Sequence, residues 1–342
     1  METLKQHIDG LIKLGQYLQS IRKEDAHYAP LFTCLEKANQ TNGWFTQENC
    51  LHALETWGSV LTEENIIEWI TPYPLPHTHA KTVGLILAGN IPLVGFHDVL
   101  SVLMSGHKAT VKLSSSDPFL IPFIYELLQT FSPVFNNRLI FTTDRLEKFD
   151  AVIATGSNNA ARYFDFYFSK VPNLIRKNRN GVAVLNGQES NDELTELARD
   201  IVLYYGLGCR SISKIYVPKG YDLNLIFGAL YPHASLIDSA KYANNYDYNK
   251  AVFLMSDISL LDNGFLLMRE HDSFGSPVAC LHYWYYDSLE QLENHLEKNQ
   301  EKIQCISTSM PIQHKIPLGK AQQPTLLDYA DGVDTMAFLH KL

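Results

Sequence analysis

The sequence predicts an α/β protein of two domains, each built around a mostly parallel sheet. Three observations carry that prediction. A chain of 342 residues with 46% hydrophobic content is long enough for two domains of about 100–200 residues each. From Thr82 onward short strand-like runs alternate with longer helical ones, which implies parallel strands with helices on both faces. The alternation restarts near Gly181, after the polar break Arg176-Lys177-Asn178-Arg179-Asn180. The expected division is therefore 1–178, then 179–314, with 315–342 as a tail rich in Gly, Pro and Asp turns.

Each element follows from local pattern. Leu4, Ile8, Leu11, Ile12 and Leu18 recur at helical spacing, and Thr62 is placed to cap a run ending at Trp69. The prolines Pro72, Pro74 and Pro76 stop that run. Strand Thr82–Ala88 leads into a helix to Ser105, and strand Ala109–Lys112 into a helix from Asp117 to Phe131. Strands Leu139–Thr142 and Ala151–Ala154 follow, the latter with a helix through Phe168. In the second domain the expected order is strand Val182–Leu185, helix Asp192–Tyr204, strand Ser213–Val217 and helix Leu223–Leu230. Strand-like runs at Ala251–Met255, Phe265–Arg269 and Val278–Tyr285 precede an acidic helix from Ser288 to Glu297.

Composition narrows the function. The formal charge of −9, from 28 basic and 37 acidic side chains, argues against a nucleic-acid partner. No run approaches the ~18 apolar residues of a membrane span, and the N-terminus lacks the apolar core of a signal peptide. Five cysteines, odd in number and widely spaced, do not make a disulfide framework, so a cytoplasmic setting is expected.

Four segments carry chemistry. In Tyr205-Gly206-Leu207-Gly208-Cys209-Arg210-Ser211 a thiol sits at a glycine-flanked turn between a helical run and a strand. Taken alone, a cysteine is more often a small buried hydrophobe, yet a partly exposed thiol beside a cation such as Arg210 is a nucleophile candidate. Leu87-Ala88-Gly89-Asn90-Ile91-Pro92 lacks the G-x-G-x-x-G fingerprint, which disfavours the usual Rossmann mode of dinucleotide binding. Ala154-Thr155-Gly156-Ser157 ends a strand and opens a helix, where Ser157 caps and the first N–H groups face a pyrophosphate. Lys112-Leu113-Ser114-Ser115-Ser116-Asp117-Pro118 offers an ammonium and hydroxyls to a ribose or phosphate. Two further patterns carry less. Tyr246-x-x-x-Lys250 has the spacing of a short-chain dehydrogenase pair without its glycine-rich turn, and His77-x-His79 has no third metal ligand.

The order of Asn90-Ile91-Pro92, Lys112 with its serines, Gly156-Ser157, Gly206-x-x-Cys209 and Phe274-Gly275-Ser276-Pro277-Val278 resembles the aldehyde dehydrogenase superfamily across roughly residues 80–310. Phe96-His97-Asp98, Ser105-Gly106-His107, Ser114-Ser115-Ser116-Asp117-Pro118 and the stretch from Gln323 to Asp334 look, more closely, like LuxC-type acyl-CoA reductases. The resemblance implies an aldehyde dehydrogenase-like fold, with a Rossmann-like nucleotide-binding domain and an α/β catalytic domain. It implies reduction of an activated acyl group to an aldehyde. Cys209 would attack the thioester, expel coenzyme A and hold the acyl group, with Asn90 and the Cys209 N–H stabilising the oxyanion. Lys112, Ser114 and Ser115 match the adenosine-ribose position, and Gly156 and Ser157 the pyrophosphate. Asp272 and Phe274 lie at the nicotinamide-ribose position, where relatives carry a glutamate one methylene longer. Ser115 stands where relatives that prefer NAD often have a carboxylate, so NADPH is expected to be preferred, with NADH as second cofactor.

Two departures from the superfamily stand out. The general-base glutamate of oxidising aldehyde dehydrogenases is absent, since the chain reads Asn178-Arg179-Asn180-Gly181, which favours reduction over hydrolytic oxidation. Leu207 replaces a common glutamine beside the nucleophile. The resemblance also implies an acyl-protein synthetase as partner, and an oligomer is expected. Two rival readings stand beside the reductase: an acyltransferase or thioesterase using the same acyl-cysteine, and a non-catalytic subunit of a fatty-acid reductase complex.

Overall fold

The computed structural model describes residues 2–75 and 79–342. Two compact units emerge, one running to Asn178 and taking back Thr325–Leu342, the other formed by Arg179–Pro324.

The first unit opens with helices α1 (Glu2–Gln19), α2 (Ala29–Thr41), α3 (Gln47–Val60) and α4 (Glu63–Ile70). Leu11, Leu14 and Leu18 of α1 are fully buried, each such burial contributing about 1.5–3 kcal/mol. Helices α1 and α3 approach closely because Gly15 faces the Leu61 carbonyl, where a Cβ would lie 2.4 Å from the oxygen. Thr46 and Thr62 cap α3 and α4 by accepting from the Asn49 and Asn65 amides at 3.2 and 3.3 Å.

The sheet of this unit is made by β1 (Thr82–Ile86), α5 (Phe96–Met104), β2 (Lys108–Lys112), α6 (Leu120–Phe131), β3 (Leu139–Thr142), β4 (Ala151–Thr155), α7 (Asn158–Tyr167) and β5 (Asn173–Arg176). Its order is β3-β2-β1-β4-β5, all parallel. The winding direction reverses between β1 and β4, the switch point at which sheets of this kind bind ligands. Strand β5 is not among the elements expected from local pattern, because its stabilisation is tertiary. Arg176 at its end is 5% exposed and pairs with buried Asp98 of α5 at 2.6 Å.

The second unit contains β6 (Asn180–Val184), α8 (Asn191–Val202), β7 (Ile212–Pro218), α9 (Asn224–Leu230), α10 (Ala240–Met255), β8 (Leu261–Asp262), β9 (Leu267–Glu270), β10 (Cys280–Tyr286), α11 (Leu289–Lys298), β11 (Ile303–Ser307) and β12 (Lys315–Ile316). Its sheet runs β12-β11-β6-β7-β10-β9-β8, parallel except for the β8–β9 pair. Alternation along the central strands fills both faces: Ala183, Ile215 and Val217 join one core, and Val182, Val184 and Tyr216 the other. Ser190 and Glu193 form a capping box that starts α8.

Three expectations are corrected. Ala251–Met255 is the last turn of helix α10 and not a strand, because Tyr242, Tyr246, Asn249 and Phe253 bury one face at helical spacing while Leu254 and Met255 are exposed. The helix expected to reach Tyr204 ends at Val202, and the backbone turns left-handed at Tyr204 and Tyr205. The segment 315–342 is not a separate tail. Residues to Pro324 pack in the second unit, and from Thr325 the chain is tied into the first. There His97 Nε2 donates to the Leu326 carbonyl at 2.9 Å, Trp69 Nε1 to the Tyr329 hydroxyl at 2.9 Å and Tyr73 to Asp334 at 2.6 Å.

Candidate active site

In the second unit the chain leaves α8 through Tyr204 (φ 53°), Tyr205 (φ 57°) and Gly206 (φ 73°). Left-handed backbone at two tyrosines costs on the order of 1–3 kcal/mol each, and such strain is concentrated at functional sites. It redirects the chain into a tight turn, Gly208 to Ser211, closed by the Ser211 amide donating to the Gly208 carbonyl at 3.0 Å. The Gly208 amide in turn donates to Ser211 Oγ at 3.2 Å. Cys209 lies within this turn and is half-buried, whereas Cys34, Cys50, Cys280 and Cys305 are buried. Burial pushes the thiols of Cys34, Cys50 and Cys280 up to about 12, so they stay protonated at neutral pH. Of the five thiols, Cys209 is the one that is not buried. Arg210 directs its Nε to the Ala321 carbonyl, so it braces the turn.

Asp272 and Phe274 share one loop of the same unit and diverge in environment. Asp272 is exposed; Phe274 is buried among Val182, Val184 and Tyr216, with its ring stacked on His295 at 5.7 Å. The loop is pinned from beneath. Lys214 Nζ donates to the Asp272 carbonyl at 2.9 Å, Ser213 Oγ to the Phe274 carbonyl at 2.8 Å, and His282 Nδ1 to the Ser273 carbonyl at 3.1 Å. Lys214 is fully buried on β7, which pulls its pKa down to about 8. Sequence reasoning passed over Lys214. Its strand is buried on both faces, so local pattern does not single it out.

In the first unit, Lys112 ends its strand and Asn90, Ser114, Ser115, Gly156 and Ser157 follow the carboxyl ends of adjacent strands, because Ile86 pairs with Lys112 and with Ala154. Asn90 and Ser115 are exposed, and Lys112 and Ser114 half-buried. Two of these turns touch through Gly89, where a Cβ would lie 2.5 Å from Ser114 Oγ. Replacing Gly89 with alanine is therefore expected to push the serine turn away and to lower stability by about 1–3 kcal/mol, as thermal melting would show. Ser157 caps α7 by accepting from the Ala160 amide at 3.3 Å. Gly156 is required beside it, since a Cβ would lie 2.9 Å from that of Ala160. Asp117 closes the serine turn. It is buried, accepts from the Leu120 amide at 3.3 Å and is pushed up to about 6 by desolvation. Glycines that admit close approach, an exposed helix start, a lysine and hydroxyls fit the polar groups of a dinucleotide.

Tyr246 and Lys250 both bond to Asp262, at 2.7 Å each, and so clamp α10 to β8. Among the described residues no group of three His, Cys, Asp or Glu side chains is placed to hold a metal, and His77 lies outside them. No described helix is long and apolar enough to cross a membrane.

The fold is that of the aldehyde dehydrogenases. An NAD+ complex of aldehyde dehydrogenase from Bacillus cereus superposes with a TM-score of 0.63 at 14% identity, covering 92% of this chain and 73% of that one. An acetylating aldehyde dehydrogenase from Geobacillus thermoglucosidasius gives 0.58 at 11% identity, covering 92% and 76%. Within that fold, residues 77–226 match the family model of LuxC, acyl-CoA reductase, which bears out the resemblance seen in the motifs. A long-chain acyl-protein thioester reductase from Photorhabdus laumondii subsp. laumondii is 22% identical over 332 residues, 88% of this chain. The chain spans 66%, just under two thirds, of that relative's length.

Proposed function

We propose that this chain reduces an acyl thioester to an aldehyde through an acyl group held on Cys209, with NADPH as the preferred cofactor. The observation that carries the reading is the placement of Cys209. It is half-buried on a tight turn between α8 and β7 while the other four thiols are buried, in a fold shared with aldehyde dehydrogenases. The thiolate attacks the thioester carbonyl carbon, and the bond from that carbon to the leaving sulfur breaks as the coenzyme A or carrier thiolate departs and takes up a proton. Asn90 and the Cys209 N–H are the donors assigned to the oxyanion, a contribution of about 3–4 kcal/mol when one such donor is removed. When bound, the nicotinamide supplies hydride to the acyl carbon. Cys209 Sγ holds the reduced carbon as a thiohemiacetal and is released as the carbonyl re-forms.

Lys112, Ser114, Ser115, Gly156 and Ser157 are the residues assigned to the adenosine ribose and pyrophosphate, and the 272–274 loop to the nicotinamide ribose. No carboxylate occupies Asn178 to Gly181, so the acyl-cysteine has no general base there to activate water. Reduction is favoured over hydrolysis. The acyl donor is proposed to be a coenzyme A thioester or an acyl group on a partner synthetase.

The test is NADPH oxidation with trapping of the aldehyde, across a panel of acyl-CoA thioesters. One NADPH consumed per aldehyde supports the reading. Acyl label on the protein with no NADPH consumed makes the chain a transferase. Cofactor choice has its own test: Ser115→Glu places a carboxylate against a 2′-phosphate and is expected to shift the kcat/KM ratio toward NADH by about tenfold or more. An unchanged ratio would show that position 115 does not face the ribose.

A further inference from the structure

The turn that carries Cys209 is braced by a segment that none of the recognised motifs includes. Pro317 to Gln322 follows β12 and runs beside both α8 and the turn. Gln322, 7% exposed, donates its Nε2 to Ser211 Oγ at 2.9 Å, the same oxygen that accepts from the Gly208 amide. The Ala321 carbonyl receives Arg210 Nε. The segment is itself fastened to α8. The Gly319 and Ala321 amides donate to the buried carboxylate of Asp200 at 2.8 and 3.1 Å, and Ser307 Oγ donates to the same group at 3.4 Å.

This arrangement supplies what the turn lacks. Gly206 and Gly208 flank the approach to Cys209, and glycine has the least intrinsic conformational restraint of any residue. Beyond the turn's own closure, further stiffness comes from outside it, from hydrogen bonds whose loss leaves a buried polar atom short of a partner. We propose that Gln322 is a positioning residue for Cys209, acting through Ser211 to hold the Gly208–Ser211 turn in its reactive geometry. The inference rests on Cys209 being the nucleophile. It adds that the nucleophile's geometry is set by the segment after β12.

The test uses the full chain and reads Cys209 directly. Because the other four cysteines are buried, iodoacetamide alkylation followed by peptide mass reports on this thiol across pH ~6–10. Gln322→Met keeps the approximate volume of the side chain and removes the donor. It is expected to change the rate and midpoint of alkylation and to slow single-turnover acylation by an acyl-CoA about tenfold, with KM nearly unchanged. Gln322→Glu should recover most of the rate, because the Ser211 hydroxyl then donates to the carboxylate. Should Gln322→Met fail to fold, Ser211→Ala removes the same bond from the other end and is expected to behave alike. A folded variant of either kind with wild-type alkylation rate, midpoint and acylation rate overturns the proposal. If the alkylation midpoint moves but no thioester acylates Cys209 in the wild type, the positioning role stands and the reductase reading falls.

Discussion

Cys209→Ser is expected to abolish aldehyde formation, with a loss of about 10³-fold or more in kcat. A serine hydroxyl in the same turn is a far weaker nucleophile at neutral pH than a thiol, whose thiolate is accessible near neutrality. The turn itself should survive the change. Its closure uses the Gly208 carbonyl, the Ser211 amide and the Ser211 hydroxyl, and none of these depends on sulfur. Thermal melting within a few degrees of wild type, together with the kinetic loss, is the expected pair of results. Retained aldehyde formation in the serine variant would move the nucleophile elsewhere, and the remaining candidates are poor because all four other thiols are buried.

Asp98→Ala is expected to cost the first unit about 3–5 kcal/mol, the largest stability loss predicted for a single side chain. Arg176 is then left charged and buried without its 2.6 Å partner, keeping among the described residues its 2.8 Å bond from Nη2 to Thr335 Oγ1. The pair is not fully satisfied in the native state either. Among the described residues Asp98 Oδ1 and Arg176 Nε have no hydrogen-bond partner. An apolar double replacement, Asp98→Leu with Arg176→Met, is therefore expected to be less damaging than the single change, as a denaturant double-mutant cycle would show. A single-mutant loss under about 1 kcal/mol would mean that the pair is far more hydrated than its burial indicates.

The same region brings together segments that resemble LuxC-type proteins. Two of them, Phe96-His97-Asp98 and the C-terminal stretch from Gln323 to Asp334, meet directly. Asp98 of the Phe96-His97-Asp98 motif meets Arg176, Arg176 meets Thr335, and His97 meets the Leu326 carbonyl in the C-terminal signature. His107 of Ser105-Gly106-His107 donates to the Leu339 carbonyl at 3.1 Å. The strand-helix alternation was legible because its period is local, and the Ser157 cap because capping is local. What escaped was non-local. Strand β5 is held by a buried ion pair, and the two left-handed tyrosines before Cys209 are imposed by their surroundings and not by propensity. The Ala251–Met255 run has strand-like composition, but its face is set by residues a turn or more earlier in α10. In the same way Lys214 and Gln322 have no local signature of function. Their place under the 272–274 loop and beside the Cys209 turn comes from pairing between segments distant in sequence.

The central claim, an acyl group carried on Cys209, is tested most directly by mass spectrometry of the protein after exposure to an acyl-CoA without NADPH. The account predicts one added acyl group, located on the peptide containing Cys209, removed on addition of NADPH with release of one equivalent of aldehyde. An acyl group on another residue, or an adduct on Cys209 that NADPH leaves in place, would contradict it.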